Sequence, residues 1–222
     1  MACCFSWLAP SDRFCSLVGT SWSRGSLWAA RIKLACDLGA VPKGSNVVFM
    51  ANHQSELDIL ILYVALNRFT LNFIAKESLR KVPFLGWAMR AAGHVFVDRE
   101  NRRKAMKSMD EAMERTKRGN SIVIFPEGTR NKSTDSLLDF QVGGMIIAIK
   151  CGLPIVPVII SGSGDIMPSG KKTLAPGKHH VRFTTLEPVQ AGQYTLKQRD
   201  QLKDDLQDRM SQAYQRLRKE TP

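Results

Sequence analysis

Short apolar runs that alternate with helical periodicities predict an α/β fold: a mainly parallel central sheet flanked by helices, preceded by an N-terminal helical segment suited to docking on a membrane. Runs rich in β-branched residues stand at 47–50, 71–75, 95–97, 121–125, 153–160 and 181–184. Between them apolar residues recur three or four positions apart, and Gly or Pro punctuates the joints. With 222 residues, 44% of them hydrophobic, the chain can bury one full core. The expected organisation is therefore an N-terminal helical segment at 1–40 and one α/β domain at 41–222.

In the first segment Trp7, Phe14, Leu17, Val18, Trp22, Leu27, Trp28 and Ile32 mix with Arg24, Arg31 and Lys33. Tryptophan among basic residues suits a helix lying in a membrane interface, and packing on the domain is the alternative. Asp12, Arg13 and Arg24 interrupt it before any stretch nears the roughly 20 apolar residues that span a bilayer. The turn signal Pro42-Lys43-Gly44-Ser45-Asn46 then opens the strand at 47–50. Ser55 can cap the following helix, whose apolar positions Leu57, Ile59 to Leu62, Val64 and Leu66 are nearly continuous, as in a helix covered on most sides.

Strands at 71–75 and 95–97 bracket a short helix near Trp87, set off by Pro83 and Gly86. Met109, Ala112 and Met113 continue a helical stripe across 101–118, which Gly119 stops. The strand at 121–125 ends in a Pro-Glu-Gly turn, a helix covers 143–151, a strand 153–160 and another 181–184. From 196 to 219 Leu202, Leu206, Met210, Ala213 and Leu217 fall on one stripe of a surface helix.

A formal net charge of +12 and a pI near 9.8 favour an anionic partner: nucleic acid, an acidic membrane leaflet or a phosphate-bearing substrate. Charge alone supports a nucleic-acid binder, with no recognised motif behind it, so no nucleic-acid partner is expected. The five cysteines form no Cys-x-x-Cys pair, which signals neither a disulfide framework nor zinc. No metal is expected. His179-His180 has no carboxylate or cysteine nearby in sequence, and Gly164 with Gly170-Lys171-Lys172 misses the spacing of a phosphate loop.

Chemistry concentrates in two places. In Asn52-His53-Gln54-Ser55-Glu56-Leu57-Asp58 the histidine and aspartate are five residues apart, roughly 140° on an unbroken helix, so they meet only if His53 stands in the turn before the helix. There Asp58 can accept the Nδ1 proton and leave Nε2 as a general base, with a substrate hydroxyl filling the nucleophile's role. The competing reading makes Asp58 a helix-capping carboxylate and His53 a satisfied loop residue. In Phe125-Pro126-Glu127-Gly128-Thr129-Arg130 the proline stops a strand and a turn presents a guanidinium suited to phosphate. Here the alternative is that Glu127 and Arg130 simply pair with each other.

These motifs, with Gly93-His94-Val95-Phe96-Val97-Asp98-Arg99 and Leu153-Pro154-Ile155-Val156-Pro157-Val158, stand in the order and spacing of the glycerolipid acyltransferase family, and the chain most resembles its bacterial 1-acyl-sn-glycerol-3-phosphate acyltransferases. The segment from Ala75-Lys76-Glu77-Ser78-Leu79 to Val82-Pro83-Phe84-Leu85-Gly86-Trp87 shares the family's character, so the likeness runs over 47–160. The resemblance implies His53 and Asp58 as catalytic residues. It implies Glu127, Gly128, Thr129 and Arg130 as acceptor-site residues, with Lys76 and Arg99 as further phosphate contacts. It also implies a lysophospholipid acceptor, acyl-CoA or acyl-acyl carrier protein as donor, no cofactor, and work on an anionic membrane surface. Its place would be the cytoplasmic face of the inner (plasma) membrane, held there as a peripheral or monotopic protein. Two departures stand out: Phe140-Gln141-Val142-Gly143 where many relatives carry Phe-Lys-x-Gly, and Glu56 where relatives usually place a bulky apolar residue. The missing cation leaves room for another lysolipid, such as a lyso-ornithine lipid, and a lipid-binding relative without turnover is the non-enzymatic reading.

Overall fold

The computed structural model describes residues 12–39, 41–42, 46–98 and 101–220. Arg99, Cys3, Cys4 and positions 43–45 of the expected turn lie outside the described residues. In chain order the elements are α1 (Asp12–Ala29), β1 (Ile32–Asp37), β2 (Val48–Ala51), α2 (Leu57–Ala65), β3 (Leu71–Lys76), α3 (Leu85–Ala91) and β4 (Val95–Val97). There follow α4 (Arg102–Lys117), β5 (Ser121–Ile124), α5 (Gly143–Cys151), β6 (Pro154–Ser161), α6 (Ser163–Ile166), β7 (His179–Thr185), β8 (Val189–Gln190) and α7 (Arg199–Glu220). A short 3₁₀ turn, Glu77–Lys81, joins β3 to α3.

The strands with unbroken apolar runs take the centre. β2 and β5 are buried along their whole length, as a strand covered on both faces requires. The sheet order is β1-β7-β6-β2-β5-β3-β4, with β8 beside β6. β6, β2, β5, β3 and β4 run parallel, while β7 and β8 run antiparallel to β6 and β1 follows the direction of β7. Alternate side chains feed two cores. Phe49, Val123, Val158 and Ile160 face α1 and α2 through Leu27, Leu57, Ile61 and Leu62. Val48, Met50, Ile122 and Ile159 face α4, α5 and α7 through Ala112, Met145, Leu202, Leu206 and Met210. The result is three layers, helix on sheet on helix.

The structure differs from the sequence reading at the N-terminus: 1–40 is not helical throughout. α1 gives way at Ala29, and Ile32–Asp37 pairs parallel with β7 from Ile32↔His179 to Asp37↔Thr184. α1 itself packs on α2: Thr20 Oγ1 donates to the Tyr63 carbonyl at 3.3 Å, and a Cβ on Gly19 would stand 3.1 Å from the Tyr63 ring. Its other face stays exposed, with Trp22 72% and Trp28 81% accessible. No described helix is long and apolar enough to cross a membrane.

Candidate active site

β2 and β5 lie side by side in parallel register, Met50 opposite Ile124, so the turns that leave them meet at the carboxyl edge of the sheet, where ligands of such sheets bind. Asn52 ties the end of β2 to β6 by a two-way bond with Ile160, donating from Nδ2 to its carbonyl at 2.9 Å and accepting from its N–H at 2.8 Å. His53 follows directly and stands before α2, outside the helix, as the angular argument demands.

His53 Nδ1 lies 2.9 Å from Asp58 Oδ2. The same oxygen accepts the N–H of Gln54 at 2.7 Å and of Ser55 at 2.9 Å. The two readings of Asp58 are thus one arrangement: it serves the backbone of the turn and orients the imidazole with a single atom. With Nδ1 as donor, Nε2 keeps its lone pair for a substrate proton. The imidazole stacks on Phe125, ring centres 3.9 Å apart and planes 16° from parallel. Asp58 is fully buried, whereas the His53 side chain keeps 16% exposure.

The second motif is divided between two tasks. Glu127 turns inward: Oε1 accepts the His53 N–H at 2.7 Å and Oε2 the Leu138 N–H at 2.9 Å. Burial pushes its carboxyl up to about 7, against the lowering effect of those two amides, and the Asp58 charge adds to the rise. Glu127 thus stands behind the turn that carries His53, each of its oxygens accepting one backbone amide. The Asn131 N–H adds a bond of 2.7 Å to the His53 carbonyl.

Gly128 turns at φ +74°, a backbone region that favours glycine, with its N–H on the Phe125 carbonyl. Thr129 is exposed beyond it, and Arg130 is half-buried. Arg130 does not pair with Glu127; its Nη1 lies 2.6 Å from Oε1 of Glu56, which belongs to the loop that carries His53. Lys76 closes β3 at the same edge of the sheet and is exposed.

Sequence reasoning missed the support beneath the site. Gln54 Nε2 donates to the Tyr214 hydroxyl at 2.6 Å, and that hydroxyl donates to the Thr134 carbonyl at 2.7 Å. Arg218 bonds Thr134 Oγ1 at 2.7 Å and Asp165 Oδ2 at 2.8 Å. α7 thereby holds both the turn carrying His53 and the loop after Arg130. The only hint in sequence is a tyrosine on the buried stripe of the last helix. His94, in another family block, is structural: its Nδ1 accepts the Phe73 N–H and Nε2 meets the Tyr63 hydroxyl at 3.1 Å. Burial lowers it to about 4, with the Arg115 charge acting the same way and Asp12 opposing. Among the described residues no cluster of three or more His, Cys, Asp or Glu is placed to hold a metal ion.

Residues 37–161, more than half the chain, match the family described as Acyltransferase. The chain belongs to that family. It is 38% identical over 138 residues to a 1-acyl-sn-glycerol-3-phosphate acyltransferase of Chlamydomonas reinhardtii, covering 62% of this chain and 41% of that protein. Proteins of the same description match from Saccharomyces cerevisiae, at 33% over 171 residues, and Helicobacter pylori, at 35% over 150. Those alignments cover 72% and 68% of this chain, and 55% and 62% of the relatives. The chain thus spans about two to three fifths of the length of these curated relatives. The crystal structure of the 1-acyl-sn-glycerophosphate (LPA) acyltransferase PlsC from Thermotoga maritima superposes with a TM-score of 0.77 at 28% identity, over 93% of this chain and 80% of that one. The α/β architecture of this acyltransferase family member is therefore shared with a solved relative.

Proposed function

We propose that this acyltransferase moves a fatty acyl group from an acyl thioester to the free hydroxyl of 1-acyl-sn-glycerol-3-phosphate, giving phosphatidate. The observation that carries the reading is His53 Nδ1 held 2.9 Å from the buried Asp58 carboxylate, beside the turn that presents Arg130. His53 Nε2 takes the acceptor's hydroxyl proton as that oxygen attacks the thioester carbon. When the C–S bond breaks, the same nitrogen returns the proton to the departing thiolate. Phe125, stacked on the ring, shields it from water on one face. Arg130, freed from Glu56, is suited to grip the acceptor phosphate, with Lys76 at the same edge of the sheet as a further candidate cation and Arg99 a candidate from the family resemblance alone. Acyl-CoA or acyl-acyl carrier protein is the donor, and both substrates are anionic, in keeping with the net charge of +12.

The protein works as a peripheral or monotopic protein on the cytoplasmic face of the inner membrane, docked by the outward side of α1, where Trp22 and Trp28 stand exposed. A second reading changes only the acceptor. Glu56 bonded to Arg130, together with Gln141 where relatives carry lysine, favours a headgroup with an amine beside its anion, as in a lyso-ornithine lipid. The test is release of free CoA thiol from long-chain acyl-CoA with detergent-dispersed lysophosphatidate. His53→Ala is expected to abolish it with an unchanged circular dichroism spectrum; undiminished release by that variant overturns the assignment.

A further inference from the structure

Between β3 and β4 the chain presents apolar side chains to solvent in a way that packing does not explain. Leu79, Val82, Phe84, Leu85 and Trp87 are 37, 40, 79, 48 and 61% exposed. Phe84 sits at φ +61°, rare for a bulky residue, in a tight turn closed by the Leu85 N–H on the Pro83 carbonyl. That strained turn throws its ring outward against Trp87, centres 5.5 Å apart in an edge-to-face pair. The support beneath is firm: a Cβ on Gly86 would lie 2.3 Å from the Arg80 carbonyl oxygen, so the 3₁₀ turn and α3 are pressed backbone to backbone. Arg80, Lys81 and Arg90 are exposed in the same segment; Arg80 lies 3.6 Å from the Glu77 carboxylate, and its guanidinium stands 5.9 Å from the Phe96 ring centre.

We propose that this segment, 79–90, is a second point of entry into an anionic bilayer, separate from α1. It rests on the reading that the protein works at a membrane surface. Two exposed aromatic rings on a tight turn, in a segment that also carries three exposed cations, suit the mix of apolar and basic side chains that an anionic interface takes up. The segment leaves the carboxyl edge of β3, the edge that carries His53 at the end of β2, so its insertion sets the site against the headgroups. A carrier protein, acidic but lacking an apolar phase, gives the exposed rings no medium to enter.

The chain has four tryptophans, and replacing Trp7, Trp22 and Trp28 by Phe leaves Trp87 as the sole reporter. With phosphatidylglycerol-containing vesicles, Trp87 emission is expected to move to the blue and to be quenched by brominated acyl chains; phosphatidylcholine vesicles should leave it unmoved. In the full chain, Phe84→Ser with Trp87→Ser should weaken sedimentation with anionic vesicles at least fivefold while turnover of a monomeric short-chain lysophosphatidate stays the same. Unmoved Trp87 emission in a protein that still sediments overturns this surface and leaves the membrane reading standing. Absence of sedimentation by the wild type sinks both, and a Trp87 response to acyl carrier protein alone assigns the surface to the donor instead. The proposal fails too if the serine variant sediments like the wild type.

Discussion

Because one oxygen of Asp58 receives the imidazole and two backbone N–H groups, the residue cannot be exchanged without disturbing both the shape of the turn and the orientation of the base. Glu56 and Arg130 form a looser pair, both partly exposed, and such a pair contributes little to stability. With Arg130 in the proposed acceptor site, an arriving anion would have to displace the carboxylate. Glu56→Gln is expected to lower the KM for lysophosphatidate several-fold and leave the KM for acyl-CoA unchanged, by steady-state kinetics with each substrate varied in turn. Arg130→Ala should raise the acceptor KM by about 10- to 100-fold, since a hydrogen bond to a charged group is worth about 1.5–3 kcal/mol. Equal changes in both Michaelis constants would remove Arg130 from the acceptor site. The pairing of His53 with Asp58 was visible in sequence because the two are five positions apart and their geometry follows from helix angles. The partner of Glu127 was not, because Leu138 contributes a backbone amide, which no side-chain pattern announces.

α7 earns its place through Tyr214, a fully buried side chain whose hydroxyl joins Gln54 to Thr134. Tyr214→Phe keeps the ring and removes both bonds, leaving the Gln54 amide buried with a lost acceptor. The expected cost is about 1–3 kcal/mol in chemical denaturation. Loosening the turn beside His53 should also lower kcat while the acceptor KM holds, a split that a purely structural defect would not give. Apart from α6 and β8, the elements from β2 to α7 were legible within a few residues, since continuous apolar runs and 3.6-residue stripes persist through them. β1 was not. Only Ile32 in it is buried, Lys33 and Asp37 interrupt any pattern, and its order comes from pairing with β7 at the far end of the chain. β8 and α6 are two and four residues long, too short to carry a period.

Taken together, two buried titratable groups give the folded protein opposing responses to acid. Glu127 holds its proton to about pH 7 when folded and loses it near 4.5 when unfolded, so its contribution is full below about 4.5 and is lost as pH rises through 7. His94 stays neutral down to about 4 when folded but protonates near 6.5 when unfolded, so its contribution is full above 6.5 and is lost as pH falls toward 4. Each is on the order of 3 kcal/mol at most. Urea denaturation of the wild type should change little between pH 6.5 and 5. Glu127→Gln should lose stability on acidification over that window and His94→Gln should gain it; parallel trends in all three would contradict the account.

The stretch that matches the family ends at residue 161, yet the hydroxyl that bolts the histidine's turn belongs to residue 214. A fragment trimmed to the matched boundary would also uncover the core face lined by Leu202, Leu206 and Met210. Anyone cutting the gene for expression or grafting the catalytic motifs onto another scaffold would therefore sever the latch along with the tail, and the shortest useful clone must keep the last helix.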